Sequence, residues 1–192
     1  MSLRKNNNNA FTANLYFNGF PVVLNQQRLR QRLREPRITR SDKLDAEVCL
    51  ADKREPGFIT LAEHEDDKPL LLEFSPHGET YTIKIVLRGG YDGARLYIEN
   101  GNHNLLVSQE QPAEFFSITR VEGTKLSLDD LDAGPVFINL ISESSKKPLY
   151  RDTTGRMSIF KNVDPNLTGH VAFNNKPAIF VIKVIDKLPV GA

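Results

Sequence analysis

Short apolar runs alternate along this chain with turns rich in Gly, Pro, Asn and Asp. The clearest case is Tyr81-Thr82-Ile83-Lys84-Ile85, where period two places Tyr81, Ile83 and Ile85 on one face and Thr82 and Lys84 on the other. Two longer blocks, Tyr81 to Val121 and Phe137 to Ile185, repeat one order of segments. Each has an apolar strand, a segment opening Leu-Tyr, a short apolar run and a closing aromatic-x-Ile strand. The first block supplies Tyr81–Ile85, Leu96–Glu99, Leu105–Val107 and Phe116–Ile118. The second supplies Phe137–Ile141, Leu149–Asp152, Met157–Phe160 and Phe180–Lys183. Repetition at this period predicts one supersecondary unit used more than once. In the closing strand, Ile179 to Val184 is apolar on both faces up to Lys183, which predicts deep burial.

Pro56-Gly57, Pro76-His77-Gly78, Gly89 to Gly93, Asn100-Gly101, Gly134-Pro135 and Thr154-Gly155 separate these runs. Strands at such spacing, with little helix between them, predict an all-β barrel or a two-sheet sandwich. Upstream, Phe11 to Leu24 is aromatic and β-branched and is broken by Asn18-Gly19, a favoured hairpin-turn pair. Its Leu15-Tyr16 and Val22-Val23-Leu24 echo Leu96-Tyr97 and Leu105-Leu106-Val107. Residues 1–10 form a polar tip, and residues 11–188 form a single domain.

Residues 26–43 interrupt the β pattern with seven basic residues against two acidic ones, while the rest of the chain holds 18 basic against 22 acidic. Leu29 and Leu33, four apart, fit a short helix that Pro36 ends. This segment is expected to be an insertion. Leu126 to Leu131 is the other short helical candidate, and Val48 to Leu50, carrying Cys49, has the pattern of a strand.

Composition narrows the class. The chain has 192 residues, 40% of them hydrophobic and 26% charged, which suits a globular domain with an ample core. A net charge of +1 gives no global field toward nucleic acid or membrane. No apolar run is long enough for a transmembrane helix, and the polar N-terminus has no signal-peptide core. One cysteine rules out an intrachain disulfide. The expected location is the cytoplasm, or release without an N-terminal signal peptide.

The stretch Gly93-Ala94-Arg95-Leu96-Tyr97 through Asn100-Gly101, Leu105-Leu106-Val107 and Phe116-Ser117-Ile118 resembles a β-trefoil unit of the actin-bundling and growth-factor type. The resemblance covers residues 79–186. It implies three four-stranded units around a six-stranded barrel, with a third unit assembled from residues 11–76 around the basic insertion. The spacing of the aromatic anchors Tyr81, Phe116 and Phe180 requires another insertion near Thr124 to Ala133. The Gln-x-Trp signature of ricin-type lectin trefoils is missing.

Candidate chemistry is sparse. Cys49 has no distinguishing neighbours, and His64, His77, His103 and His170 stand apart rather than at metal-ligand spacing. Glu63-His64-Glu65-Asp66-Asp67 is an acidic loop without calcium-loop spacing. Neither a catalytic centre nor a cofactor is expected; an enzyme built from scattered carboxylates and histidines is the remaining alternative. Binding loops are easier to house. Tyr91 and Asp92 on a flexible Gly-rich tip, with Asn100, Asn102 and His103 on the next turn, could stack on and hydrogen-bond a sugar, or meet a protein ligand. Gly, Asn and Asp in both segments also satisfy the demands of plain β-turns. A second reading assigns Arg28, Arg30, Arg32 and Arg34 to a polyanion such as nucleic acid. No aromatic residues interleave with them to stack bases.

Overall fold

The computed structural model describes residues 9–87, 89–153, 155, 157–167, 169–170 and 175–189. The N-terminal tip lies outside the described residues except for positions 9 and 10, and so do Arg88 of the Tyr91 loop and Thr154 of the Thr154-Gly155 turn.

The chain begins with β1 (Phe11–Phe17) and β2 (Phe20–Leu24). It passes through α1 (Asn25–Leu33), α2 (Arg40–Ala51) and a single 3₁₀ turn (Glu55–Gly57). It then returns to β3 (Ile59–Leu61) and β4 (Leu71–His77). The next stretch is β5 (Thr80–Val86), β6 (Arg95–Ile98), β7 (Leu105–Ser108) and β8 (Phe116–Thr119). After α3 (Leu128–Asp132) come β9 (Val136–Ser142), β10 (Lys147–Pro148), β11 (Tyr150–Asp152), β12 (Ile159–Lys161) and β13 (Phe180–Lys187).

Six of these strands close an antiparallel barrel. β1 pairs with β4, β4 with β5, β5 with β8, β8 with β9, β9 with β13, and β13 returns to β1. Closure removes the free edges that a two-sheet sandwich would leave. Between successive barrel strands lie the hairpins β2–β3, β6–β7 and β11–β12. Their second strands meet: Phe58 bridges Leu106, Asn104 bridges Lys161, and Thr60 donates its hydroxyl to Ser158 O.

The alternation in the sequence becomes the inside and outside of the barrel. Phe11, Ala13 and Leu15 from β1, Leu72 and Phe74 from β4, and Ile83 and Ile85 from β5 are buried together. Phe116 and Ile118, Ile138 and Leu140, and Phe180 and Ile182 complete the interior. Cross-strand register places Phe11 opposite Phe74 and Phe74 opposite Ile83, and the Phe11 and Phe74 rings stack at 4.9 Å. Burying each such Phe or Ile contributes roughly 1.5–3 kcal/mol. Asn18 and Gly19 turn β1 into β2 with φ of 50° and 84°, the left-handed pair a two-residue hairpin turn demands.

Several local expectations need correction. β13 is buried on one face only: Phe180 and Ile182 point in, while Lys183 is exposed and Ile179 keeps 40% of its surface. The Leu15-Tyr16 echo is out of register, because those residues lie on a barrel strand whereas Leu96-Tyr97 lies on a hairpin strand. Cys49 sits half-buried near the end of α2 and not on a strand. The reason is visible at the other end of that helix, where the Thr39 hydroxyl accepts the Asp42 N–H at 3.1 Å and starts the turn. The insertion therefore continues well past residue 43. α3 fills the insertion expected near Thr124 to Ala133, capped by a reciprocal Ser127–Asp130 pair with Leu128 and Leu131 facing inward.

Candidate functional site

The Tyr91 loop joins β5 to β6. Tyr91 is partly buried and packs on the barrel core, with its ring beside Gly57, so it is held rather than presented on a flexible tip. The exposed Asp92 carboxylate accepts the Leu87 N–H at 3.1 Å. Gln109 donates its amide to both Gly90 O and Asp92 O at 3.1 Å, bracing the loop from outside.

The neighbouring β6–β7 turn is organised by Glu99, which the sequence reading did not single out. Arg54 donates to both of its carboxylate oxygens at 2.6 Å, and the Asn102 and Asn104 amides add bonds at 3.1 and 3.3 Å. Arg54 also lies over the Phe58 ring, 4.8 Å from its centroid. These contacts hold the Glu99 carboxyl below its ordinary range, Arg54's hydrogen bond foremost, and raise the Arg54 guanidinium in return. Asn102 is thereby committed internally. Asn100 and His103 remain exposed, His103 at a left-handed φ of 60°.

The arginines of α1 divide into two kinds. Arg28 is a structural residue whose side chain is only 11% exposed. It donates to Asn25 Oδ1 and to Glu63, each at 2.9 Å, and its burial lowers its affinity for the proton while Glu63 opposes that loss. Arg32 pairs with Asp42 at 3.3 Å and approaches Glu63 at 3.9 Å. Arg30 and Arg34 are exposed and make no ion pair among the described residues.

Those two unpaired arginines border an open groove of about 240 Å³. Gln27, Arg30, Gln31 and Arg34 follow the i, i+3, i+4, i+7 spacing of one helical stripe along α1. Arg28 joins them, Val23 and Ala62 supply apolar surface, and Asp67 and Lys68 close the groove from the segment before β4. A second cavity of equal volume lies beside β11, lined in part by Arg151, Asp152, Asn166 and Lys176. There Arg151 is already stacked over Phe17 and bonded to Ser158 Oγ, and Lys161 stands 3.6 Å from Asp152.

Next to the α1 groove, Glu35, Glu63 and His64 bring three ligand-type atoms within 4.8 Å of one another. Arg28 occupies Glu63, and the His64 ring bonds Glu35 at 2.8 Å, an arrangement that raises the His64 pKa. The Arg28 ion pair and the His64–Glu35 hydrogen bond thus already engage the ligand atoms of this cluster. Glu35 stands 29 residues from His64, so no local motif announced it.

No helix among the described residues is long and apolar enough to cross a membrane. Comparison with protein-family models, with curated proteins and with solved structures finds no match.

Proposed function

We propose that this chain is a non-catalytic binding module of the β-trefoil superfamily that takes an anionic ligand in the groove between α1 and the segment before β4. The closed six-stranded barrel with three hairpins, one each in the β1–β4, β5–β8 and β9–β13 connections, supports the trefoil reading. The single observation behind the ligand reading is the convergence of Arg28, Arg30, Arg34 and Lys68 on one groove, with Arg30 and Arg34 in no ion pair among the described residues. Exposed arginines with no ion-pair partner among the described residues are available for the two-pronged bonds that guanidinium forms with phosphate, sulfate or carboxylate. Sugar or protein recognition by Tyr91, Asp92, Asn100, Asn102 and His103 draws less support, since packing and internal bonds engage the first, second and fourth.

The test is equilibrium binding of inorganic phosphate, sulfate, heparin and an unrelated DNA duplex, at low and at physiological salt. At least one should bind. The Arg30→Gln/Arg34→Gln double variant should weaken that binding by about tenfold or more, with an unchanged melting temperature. Equal binding by the double variant, or no anion bound by the wild type, refutes the reading.

A further inference from the structure

The groove is not uniformly basic. One wall is the Arg30–Arg34 stripe of α1, while Asp67 and Lys68, which follow the acidic stretch Glu63-His64-Glu65-Asp66, line the groove from the other segment. Glu63 is neutralised by Arg28. Asp67 faces the groove, and a local turn fixes it: its carboxylate accepts the His64 N–H at 3.2 Å, and its own N–H returns to His64 O at 3.2 Å. That leaves carboxylate acceptor capacity in a groove shared with Gln31 and with Gln27, whose Oε1 already accepts the Leu24 N–H at 3.1 Å so that its NH2 is the group it offers.

Resting on the anion-binding reading above, we propose that the groove takes a compact phosphate or sulfate monoester of a hydroxylated ring. Its oxyanion meets Arg30, Arg34 and Lys68, and its ring hydroxyls meet Asp67, Gln27 and Gln31. Three physical points favour this class over an extended polyanion. First, the groove holds only about 240 Å³. That lies below the roughly 300–1,000 Å³ of pockets for drug-sized ligands, which favours a compact ligand. Second, Asp67 lines the groove itself, so a repeating polyanion laid along it meets a carboxylate at contact range and is repelled there. Third, a carboxylate inside an anion site is a liability toward bare phosphate but an asset toward a ligand that brings hydroxyl donors.

The same ester can come from a soluble metabolite or from a lipid headgroup, so both are offered. Calorimetric titration would use the 6-phosphates of glucose, galactose and mannose, myo-inositol 1-phosphate, glucose 6-sulfate, inorganic phosphate and free glucose. Phosphatidylcholine vesicles with and without phosphatidylinositol 4-phosphate test the lipid source, and heparin fragments of increasing length test the polymer. At least one ester or headgroup should bind one-to-one, about tenfold or more tighter than inorganic phosphate, and free glucose should not bind. Asp67→Asn, which keeps an oxygen for the His64 N–H but removes the charge, should cut ester binding by about tenfold while inorganic phosphate binds as well as before or more tightly. Arg30→Gln/Arg34→Gln should abolish both. Esters no tighter than inorganic phosphate, or heparin affinity that climbs with length, overturn this inference while the broader anion reading stands. Silence from every anion removes both.

Discussion

At the scale of single residues, the most connected side chain outside the core is Glu99, which ties the insertion to the β6–β7 hairpin through Arg54 and to its own turn through Asn102 and Asn104. Its folded-state pKa lies below the ordinary value of 4.5, chiefly because of the Arg54 hydrogen bond. A depressed carboxylate contributes stability that is complete above the unfolded-state pKa and fades as pH falls through the lower folded value. The wild type should therefore lose stability as pH falls below the ordinary carboxylate value of 4.5, in part through this residue. Glu99→Gln should flatten that acid limb and lower stability near neutral pH by about 1 kcal/mol at most, since solvent screens the pair. Urea midpoints measured across the pH range check both; an unchanged acid limb refutes the assignment. The stripe Gln27, Arg30, Gln31, Arg34 was open to inspection in the sequence, because helical spacing alone places those residues together. Their partners Asp67 and Lys68 were not, since only the return of the chain to the barrel brings them opposite.

At the scale of elements, the insertion is an appendage. No residue of α1 or α2 belongs to the main apolar cluster, which passes from Leu24 directly to Ile59. Its two ends touch, with the Asn25 N–H donating to Phe58 O at 2.8 Å. Replacing residues 27–54 with a short Gly/Ser turn should leave the β signal in circular dichroism intact, remove most of the helical signal and abolish anion binding. Shortening a surface loop carries little closure cost. Loss of the folded barrel in that variant would show that the helices are integral. The helix α1 was legible from Leu29 and Leu33 with the stop at Pro36, whereas α2 was not. Only Ala46 is buried along α2, so no apolar stripe marks it, and Val48-Cys49-Leu50 imitates a strand. The usable signal was the cap, Thr39 followed three residues later by Asp42.

At the scale of the whole molecule, stability depends on closure. β13 completes the barrel by pairing with both β1 and β9, so the two ends of the chain share one cooperative unit, down to the bond from Leu188 N–H to Ala10 O at 2.8 Å. Phe180 is 2% exposed at the start of that last strand and packs edge-on to Phe17 and at a tilt to Phe160. Phe180→Ala should destabilise the fold by about 3–5 kcal/mol, a large share of the roughly 5–15 kcal/mol a domain possesses. Chemical denaturation measures it; a loss under about 1 kcal/mol would mean the site repacks and closure does not depend on this ring.

The turn at Asn18-Gly19, the inward set Ile83, Ile85, Phe116 and Ile118, and the helix ending before Pro36 were determined by the sequence alone. Each follows from a period of two, a period near 3.6, or the backbone demands of a few residues, all of which act within a short stretch of chain. Which arginines are free was decided by tertiary structure. Arg28 and Arg30 are two positions apart and chemically identical, yet one is buried against Glu63 and the other faces an open groove. Charge pairing depends on distance in space, and only the folded barrel sets the distance between residues 28 and 63.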